Sequence, residues 1–193
     1  MKAFFSVSSR TKIDNKYFDD AKYISDAIAK RGYDLVIGVA MNDGMPGKVL
    51  ESFKNNNRKI FLKTLKVYGE DPEKFNYVDF EYVNDTFERT KRIYDESDVL
   101  VLMPGGTGTT AEIFAFLEQA RTDIYDGKDP KSIVIYNKDG HYNKLISAIS
   151  EYVYKQFNDE GIYGFLNVFS DKDELIEFVG RQFVDESGKK KNI

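Results

Sequence analysis

The residues best placed to do chemistry are three glycines and a glutamate that follow a short apolar run. The string Pro-Gly-Gly-Thr-Gly-Thr-Thr-Ala-Glu occupies 104–112, directly after the apolar residues 99–103. Glycines let backbone N–H groups approach a ligand with no side chain in the way. If a helix starts in this string, its free N–H groups and its positive dipole end form a seat for an anion, most often a phosphate. Glu112 lies about one turn into that helix and can face the same seat.

Two elements must position this turn: a buried strand before it and a helix after it. The aliphatic run is typical of an inner strand of a parallel sheet. Pro104 ends the strand because it cannot donate to a sheet ladder. We predict that Thr109 or Thr110 caps the following helix, which runs to about Tyr125. The turn is not a Walker A loop, since no Gly-Lys-Ser/Thr closes it.

Strands and helices alternate along the rest of the chain. This order predicts an α/β fold, a Rossmann-like three-layer sandwich with a mostly parallel central sheet. We expect one nucleotide-binding domain over 1–183 and a frayed tail over 184–193. Besides the strand before the glycine turn, the predicted strands are 2–7, 33–38, 58–62, 132–136 and 166–169, with a short edge strand at 77–80. The other predicted helices are 16–30 (capped by Asn15), 48–55, a helix to 96 capped by Asp85 or Thr86, 142–157, and a helix to 183 capped by Asp171.

The carboxyl ends of the strands form the predicted ligand edge. Ligands of such sheets bind there, at the point where the strand order reverses. The turns at Ser8, Gly38 and Gly105 all follow strands, so we expect them to converge on one ligand. Gly44 and Met45, in the loop after the second strand, are further candidates for this edge.

Composition excludes several classes of function. Formal net charge is -4, which argues against nucleic-acid or anionic-membrane binding. The chain has no cysteine and one histidine, so no disulfide, thiolate nucleophile or evident metal cluster is expected. No apolar run approaches the roughly 20 residues of a membrane span, and no signal pattern precedes Arg10. We therefore expect a cytoplasmic protein without metal or cofactor.

The glycine string resembles the PGGxGTxxE signature of the LOG-like ("lysine decarboxylase-like") family of Rossmann-type proteins. Residues 88–90, Glu-Arg-Thr, and the Ser-Asp pair at 97–98 are similar to the family's Glu-Arg-Lys and Ala-Asp segments, at the same spacing. Residues 139–145 resemble its Asp-Gly-Tyr-Tyr-Asn-x-Leu, and 5–9 fall where its first strand ends in Gly-Ser-Ser. The resemblance covers roughly residues 3–180 and is strongest over 88–145.

The second glycine loop, residues 38–47, departs from the family pattern. Val39 and Ala40 replace two of its glycines, and the loop is one residue longer. Thr90 stands where the family has lysine, and Val7 where a glycine is usual. These changes crowd or reshape the ligand edge.

The resemblance implies a phosphoribohydrolase, which hydrolyses the N-glycosidic bond of a purine-type nucleoside 5′-monophosphate to free base and ribose 5-phosphate. Glu112 would stabilise positive charge on the ribose or activate water. Arg89 would hold the substrate and help to position Glu112. The family is commonly dimeric, so a homodimer is expected. The implied phosphate-binding residues are Gly105, Gly106, Thr107, Gly108 and Thr109.

Alternative interpretations remain open at this point. A non-catalytic nucleotide sensor, or a carrier like the molybdenum-cofactor carriers, would suit the crowded loop at Val39 and Ala40, whereas Arg89 and Glu112 together favour the enzyme. Glu112 could instead only favour the helix dipole, and Arg89 could be a solvated helix residue that pairs with Glu88 or Asp85. His141 stands where the family has an aromatic residue, and we predict a packing or loop role for it. The turn after the first strand lacks Gly-x-Gly-x-x-Gly, which argues against a dinucleotide dehydrogenase.

Overall fold

A computed structural model describes residues 1–181 of the chain. The predicted frayed tail at 184–193 and the predicted end of the last helix at 183 lie outside the described residues. The strands are β1 Lys2–Ser6, β2 Asp34–Ile37, β3 Ile60–Thr64, β4 Asp79–Tyr82, β5 Val99–Leu102, β6 Ser132–Tyr136 and β7 Leu166–Phe169. The α-helices are α1 Asn15–Lys30, α2 Gly44–Asn55, α3 Thr86–Glu96, α4 Thr107–Tyr125, α5 Asn143–Tyr154 and α6 Lys172–Arg181.

The seven strands form one sheet in the order β4-β3-β2-β1-β5-β6-β7. All six strand pairs are parallel, so the predicted three-layer α/β architecture is confirmed and the sheet is wholly parallel. The strand order reverses between β1 and β5, which pair from Ala3 and Val99 to Ser6 and Leu102. The carboxyl ends of these two strands are therefore the expected ligand edge.

Alternate residues of the central strands face opposite helical layers. Phe5 points toward the layer of α1, α2 and α6 and meets the ring of Phe53 edge-on, at 5.7 Å between centroids. Phe4 points to the other layer and meets Phe116 of α4 at 5.6 Å. Burying each such ring contributes about 1.5–3 kcal/mol, so both faces hold β1 at the centre of the sheet.

Two helix starts differ from the prediction. Asp14, and not Asn15, caps α1, because its carboxylate accepts the N–H of Lys16 at 3.0 Å. α2 begins at Gly44, four residues before the predicted start at 48, and takes in Pro46. A proline in the first helical turn removes only an N–H that would have no intrahelical partner. The glycine- and proline-rich segment at 44–47 is therefore the first turn of a helix and not part of a loop.

Strand positions near the β4 edge also shift. β3 begins at Ile60, two residues later than predicted, since the Arg58 side chain reaches back to the carbonyl groups of Gly32 and Tyr33. β4 is shifted two residues toward the C-terminus of the chain relative to the predicted edge strand at 77–80. The predicted caps Asp85 and Asp171 are confirmed by hydrogen bonds to the first N–H groups of α3 and α6.

Candidate active site

The glycine turn joins the buried strand β5 to the start of α4. Gly106 is the N-cap of α4 and, as a glycine, has no side chain that could accept a hydrogen bond from the first turn. The predicted caps Thr109 and Thr110 are wrong, because the helix has already begun at Thr107. The hydroxyl of Thr110 instead donates to the Gly106 carbonyl at 3.1 Å. The first-turn N–H groups are therefore left for another acceptor.

The glycines of the turn serve two different purposes. A Cβ on Gly105 would overlap the hydroxyl of Thr109, whose side chain is buried against it. At Gly106 and Gly108 an added Cβ would meet no atom of residues 1–181 within 4 Å. Gly105 thus permits the close packing of the turn on its own helix, while the other two leave the surface above the helix open.

Glu112 lies on α4 beyond the glycine turn, with 12% of its side chain exposed. One carboxylate oxygen accepts a hydrogen bond from the hydroxyl of Ser6, the last residue of β1. The other oxygen lies 3.6 Å from Nη2 of Arg89. Burial raises the pKa of Glu112, and the Ser6 hydrogen bond and the Arg89 charge oppose that rise.

Arg89 reaches the same place from α3, with 15% of its side chain exposed. Its guanidinium lies over the ring of Tyr68, 5.5 Å from the centroid. Its Nε–H is buried and has no hydrogen-bond partner among residues 1–181. Since buried donors are nearly always paired, this N–H is available to a polar group of a ligand. The alternative of a solvated arginine paired with Glu88 or Asp85 is not the arrangement found, because Glu88 pairs with Arg92 instead.

These groups line one cavity of about 790 Å³ at the carboxyl edge of the sheet. Its walls contain six of the predicted site residues besides Arg89 and Glu112, together with the substituted loop positions Val39 and Ala40. The six are Ser8, Gly38, Gly106, Thr107, Gly108 and Thr109. The predicted phosphate-binding residue Gly105 packs against Thr109 and is not among the residues that line the cavity. The cavity therefore remains open despite the departures from the family pattern.

Gly44 and Met45 are not brought to the walls of this cavity. Met45 is fully buried in the core beneath α2. Gly44 has a φ of +66° and begins α2, where it lies against the Arg10 backbone. Their role is to fold the loop, since Met45 packs and Gly44 adopts a conformation that other residues rarely take.

Ser6, Tyr68 and Glu70 also line the cavity, although no sequence motif points to them. Ser6 is separated by 106 residues from the carboxylate that it contacts. Glu70 joins two walls, because it accepts hydrogen bonds from the Thr64 hydroxyl at 2.5 Å and from the Ala40 N–H at 3.4 Å. The one signal that could have identified Ser6 as a site residue is its position at the end of β1, beside the point where the strand order reverses.

Over residues 1–181 there is no group of three or more His, Cys, Asp or Glu side chains that could hold a metal ion. The helices in the same part of the chain are also too short or too polar to cross a membrane.

Residues 22–179 match the family model described as "Possible lysine decarboxylase". The chain belongs to this LOG-like family. The match begins within α1 and ends within α6, and it includes Arg89, the glycine turn and Glu112.

Among the curated relatives of this LOG-like chain is a "Probable cytokinin riboside 5'-monophosphate phosphoribohydrolase" of Oryza sativa subsp. japonica, 30% identical over 159 residues. The alignment covers 79% of this chain and 59% of the rice protein, so the chain spans under two thirds of that relative's length. A "Cytokinin riboside 5'-monophosphate phosphoribohydrolase" of Arabidopsis thaliana is 30% identical over 156 residues, covering 79% of this chain and 69% of the plant protein.

Solved structures of other proteins share the fold. The molybdenum cofactor carrier protein of Chlamydomonas reinhardtii superimposes with a TM-score of 0.65 at 14% identity, covering 95% of this chain and 99% of the carrier. The molybdenum cofactor binding protein of Rippkaea orientalis superimposes with a TM-score of 0.60 at 17% identity, covering 92% of this chain and 93% of that protein. At these identities the likeness concerns the fold of this LOG-like chain alone.

Proposed function

We propose that the protein hydrolyses the N-glycosidic bond of a purine-type nucleoside 5′-monophosphate. The observation that carries the proposal is the position of Glu112. Its buried carboxylate lies between the Ser6 hydroxyl and the Arg89 guanidinium, on the same helix whose first-turn N–H groups are open. One helix thus offers N–H donors for the 5′-phosphate and a carboxylate for the sugar. The names of the plant relatives support the same substrate class.

The reaction needs two kinds of assistance that this arrangement supplies. Cleavage of the bond between C1′ and the base builds positive charge on the ribose, which a buried carboxylate stabilises strongly. Water adds to C1′, the base leaves with the bonding electron pair and gains a proton, and ribose 5-phosphate remains. Glu112 would activate that water, and the unpartnered Nε–H of Arg89 would bind the substrate.

The 5′-phosphate would be held by the anion seat, by which we mean the backbone N–H groups of Gly106, Thr107, Gly108 and Thr109. The positive end of the α4 dipole favours an anion there. Because the remote phosphate anchors the substrate, its binding energy can be used to place the ribose against Glu112. A nucleoside that lacks the phosphate should therefore be a poor substrate.

Turnover of a panel of nucleoside 5′-monophosphates and their nucleosides tests the proposal. We expect base release from at least one monophosphate, and little from its nucleoside. Glu112→Gln should reduce the rate by about 10²–10⁴, the range of a lost general base. Glu118→Gln is the matched control, because Glu118 lies on the same helix but is exposed and paired with Arg121. Tight binding without turnover would instead support a nucleotide sensor or carrier.

We also propose a homodimer formed through α3 and α4. Phe87 on α3 is 86% exposed and Phe114 on α4 is 42% exposed. Exposed aromatic side chains on neighbouring helices are typical of protein interfaces. Phe87→Ser combined with Phe114→Ser should convert a dimer to a monomer in sedimentation velocity, whereas Tyr154→Ser, an equally exposed position on α5, should not.

The cytoplasmic location remains a prediction that cell fractionation can test.

A further inference from the structure

His141, the only histidine of the sequence, contacts the glycine turn from outside the cavity. It follows the 3-10 turn Lys138–Gly140 that links β6 to α5. Its Nε2 lies 2.8 Å from the carbonyl oxygen of Gly105. The ring is exposed and packs edge-on against Tyr142, at 4.6 Å between centroids. The sequence-based prediction of a loop or packing role therefore leaves this hydrogen bond unexplained.

The direction of the hydrogen bond follows from its acceptor. A carbonyl oxygen carries no hydrogen, so the ring nitrogen must donate, and the Nε2–H tautomer is the one that fits. The peptide between Gly105 and Gly106 is planar and trans, and its C=O and N–H point in opposite directions. When His141 holds the Gly105 carbonyl, the Gly106 N–H is turned away from His141, and Gly106 lines the cavity.

The neighbouring residue Tyr142 fixes the same turn two peptides earlier. Its hydroxyl donates to the Met103 carbonyl at 2.9 Å. Tyr142 is itself held by Asn137 at the end of β6, whose side-chain oxygen accepts the Tyr142 N–H at 2.7 Å. The segment 137–142 is thus anchored to the sheet and can impose an orientation on the more adaptable glycine peptides.

We propose that His141 is a positioning residue of the anion seat, which fixes the Gly106 N–H toward a bound phosphate. His141 is not among the residues that line the cavity, so it acts through the Gly105–Gly106 peptide and not by touching the ligand. The proposal depends on the proposed function only in assigning a phosphoryl group to the seat. Both residues of this peptide are glycines, which restrict its orientation only weakly. A hydrogen bond from another segment is therefore needed to hold the peptide in one orientation.

Binding of inorganic phosphate and of ribose 5-phosphate, measured by calorimetry, tests the role of His141. His141→Phe keeps the ring and removes the donor, and should weaken both ligands about three- to tenfold, the effect of one lost hydrogen bond. His141→Gln places an N–H donor at a similar distance along the side chain and should restore most of the affinity. With a monophosphate substrate, His141→Phe should raise KM by more than it lowers kcat. The melting temperatures of both variants show whether the fold is intact.

Each outcome of these measurements is decisive. Equal phosphate affinity in His141→Phe and the natural protein would overturn the proposal. Equal weakening by His141→Phe and His141→Gln would also overturn it, because restoring an N–H donor would then have no effect on phosphate affinity. If the natural protein binds neither ligand, the anion seat and the proposed function fail together. If it binds phosphate but releases no base, the hydrolase proposal fails, and the phosphate affinities of the variants still decide the role of His141.

Discussion

Removing the Ser6 hydroxyl should move the acid side of the pH–activity profile to higher pH. Burial raises the pKa of Glu112, while the hydrogen bond from Ser6 favours the charged form and holds that pKa down. In Ser6→Ala the pKa of Glu112 therefore rises further. An activity that needs the carboxylate is lost as the pH falls through this pKa, so the variant loses it at a higher pH than the natural protein.

The size of the shift follows from the strength of one hydrogen bond to a charged group. Such bonds contribute about 1.5–3 kcal/mol, and one pKa unit corresponds to 1.36 kcal/mol. The acid limb should therefore move by about one to two pH units. The lower end is favoured, because Arg89 remains near the other carboxylate oxygen and continues to stabilise its charge.

The assay is the pH dependence of kcat/KM for a nucleoside monophosphate, which reports groups of the free enzyme. A carboxyl-carbon NMR titration of Glu112 gives the same pKa without relying on turnover. Ser8→Ala is the matched control. Ser8 also lines the cavity, but its hydroxyl accepts from the Arg10 N–H and its loss should leave the acid limb in place. Superimposable profiles for Ser6→Ala and the natural protein would refute the reasoning.

Two stability predictions follow from buried contacts. Gly105→Ala should lower the free energy of unfolding by about 1–3 kcal/mol, because its Cβ would overlap Thr109, whereas Gly106→Ala should cost much less. Urea unfolding distinguishes them, and similar losses at both positions would contradict the packing described. Tyr94→Phe should cost about 1–3 kcal/mol, since the Tyr94 hydroxyl donates to the buried Asp123 carboxylate at 2.7 Å. An unchanged urea midpoint would show that Asp123 finds another donor.

The parts of the fold that could be predicted are those determined by local sequence patterns. The apolar runs of β5 and β6 and the cap at Asp85 are each decided within a few residues, and the structure has them where the sequence placed them. Arg89 and Glu112, far apart in the chain, were linked by spacing and family resemblance, and the structure brings their side chains to 3.6 Å.

The parts that could not be predicted depend on contacts distant in sequence or on ambiguous residues. Ser6 resembles any polar residue at a strand end until the sheet sets it against Glu112. The start of α4 was misplaced because threonine is a good N-cap, yet here Thr109 packs against Gly105 inside the helix. The hydrogen bond of His141 depends on the turn after β6 meeting the turn after β5, which no local pattern encodes.

The central claim is that one helix binds the phosphate and presents a carboxylate to the ribose. Its most direct test follows a nucleoside monophosphate by NMR, with the natural protein, Glu112→Gln and Glu118→Gln in parallel. We predict free base and ribose 5-phosphate in equal amounts from the natural protein and Glu118→Gln, and a loss of about 10²–10⁴ in rate for Glu112→Gln. Equal rates for Glu112→Gln and Glu118→Gln, or no cleavage of any monophosphate by the natural protein, would contradict the claim.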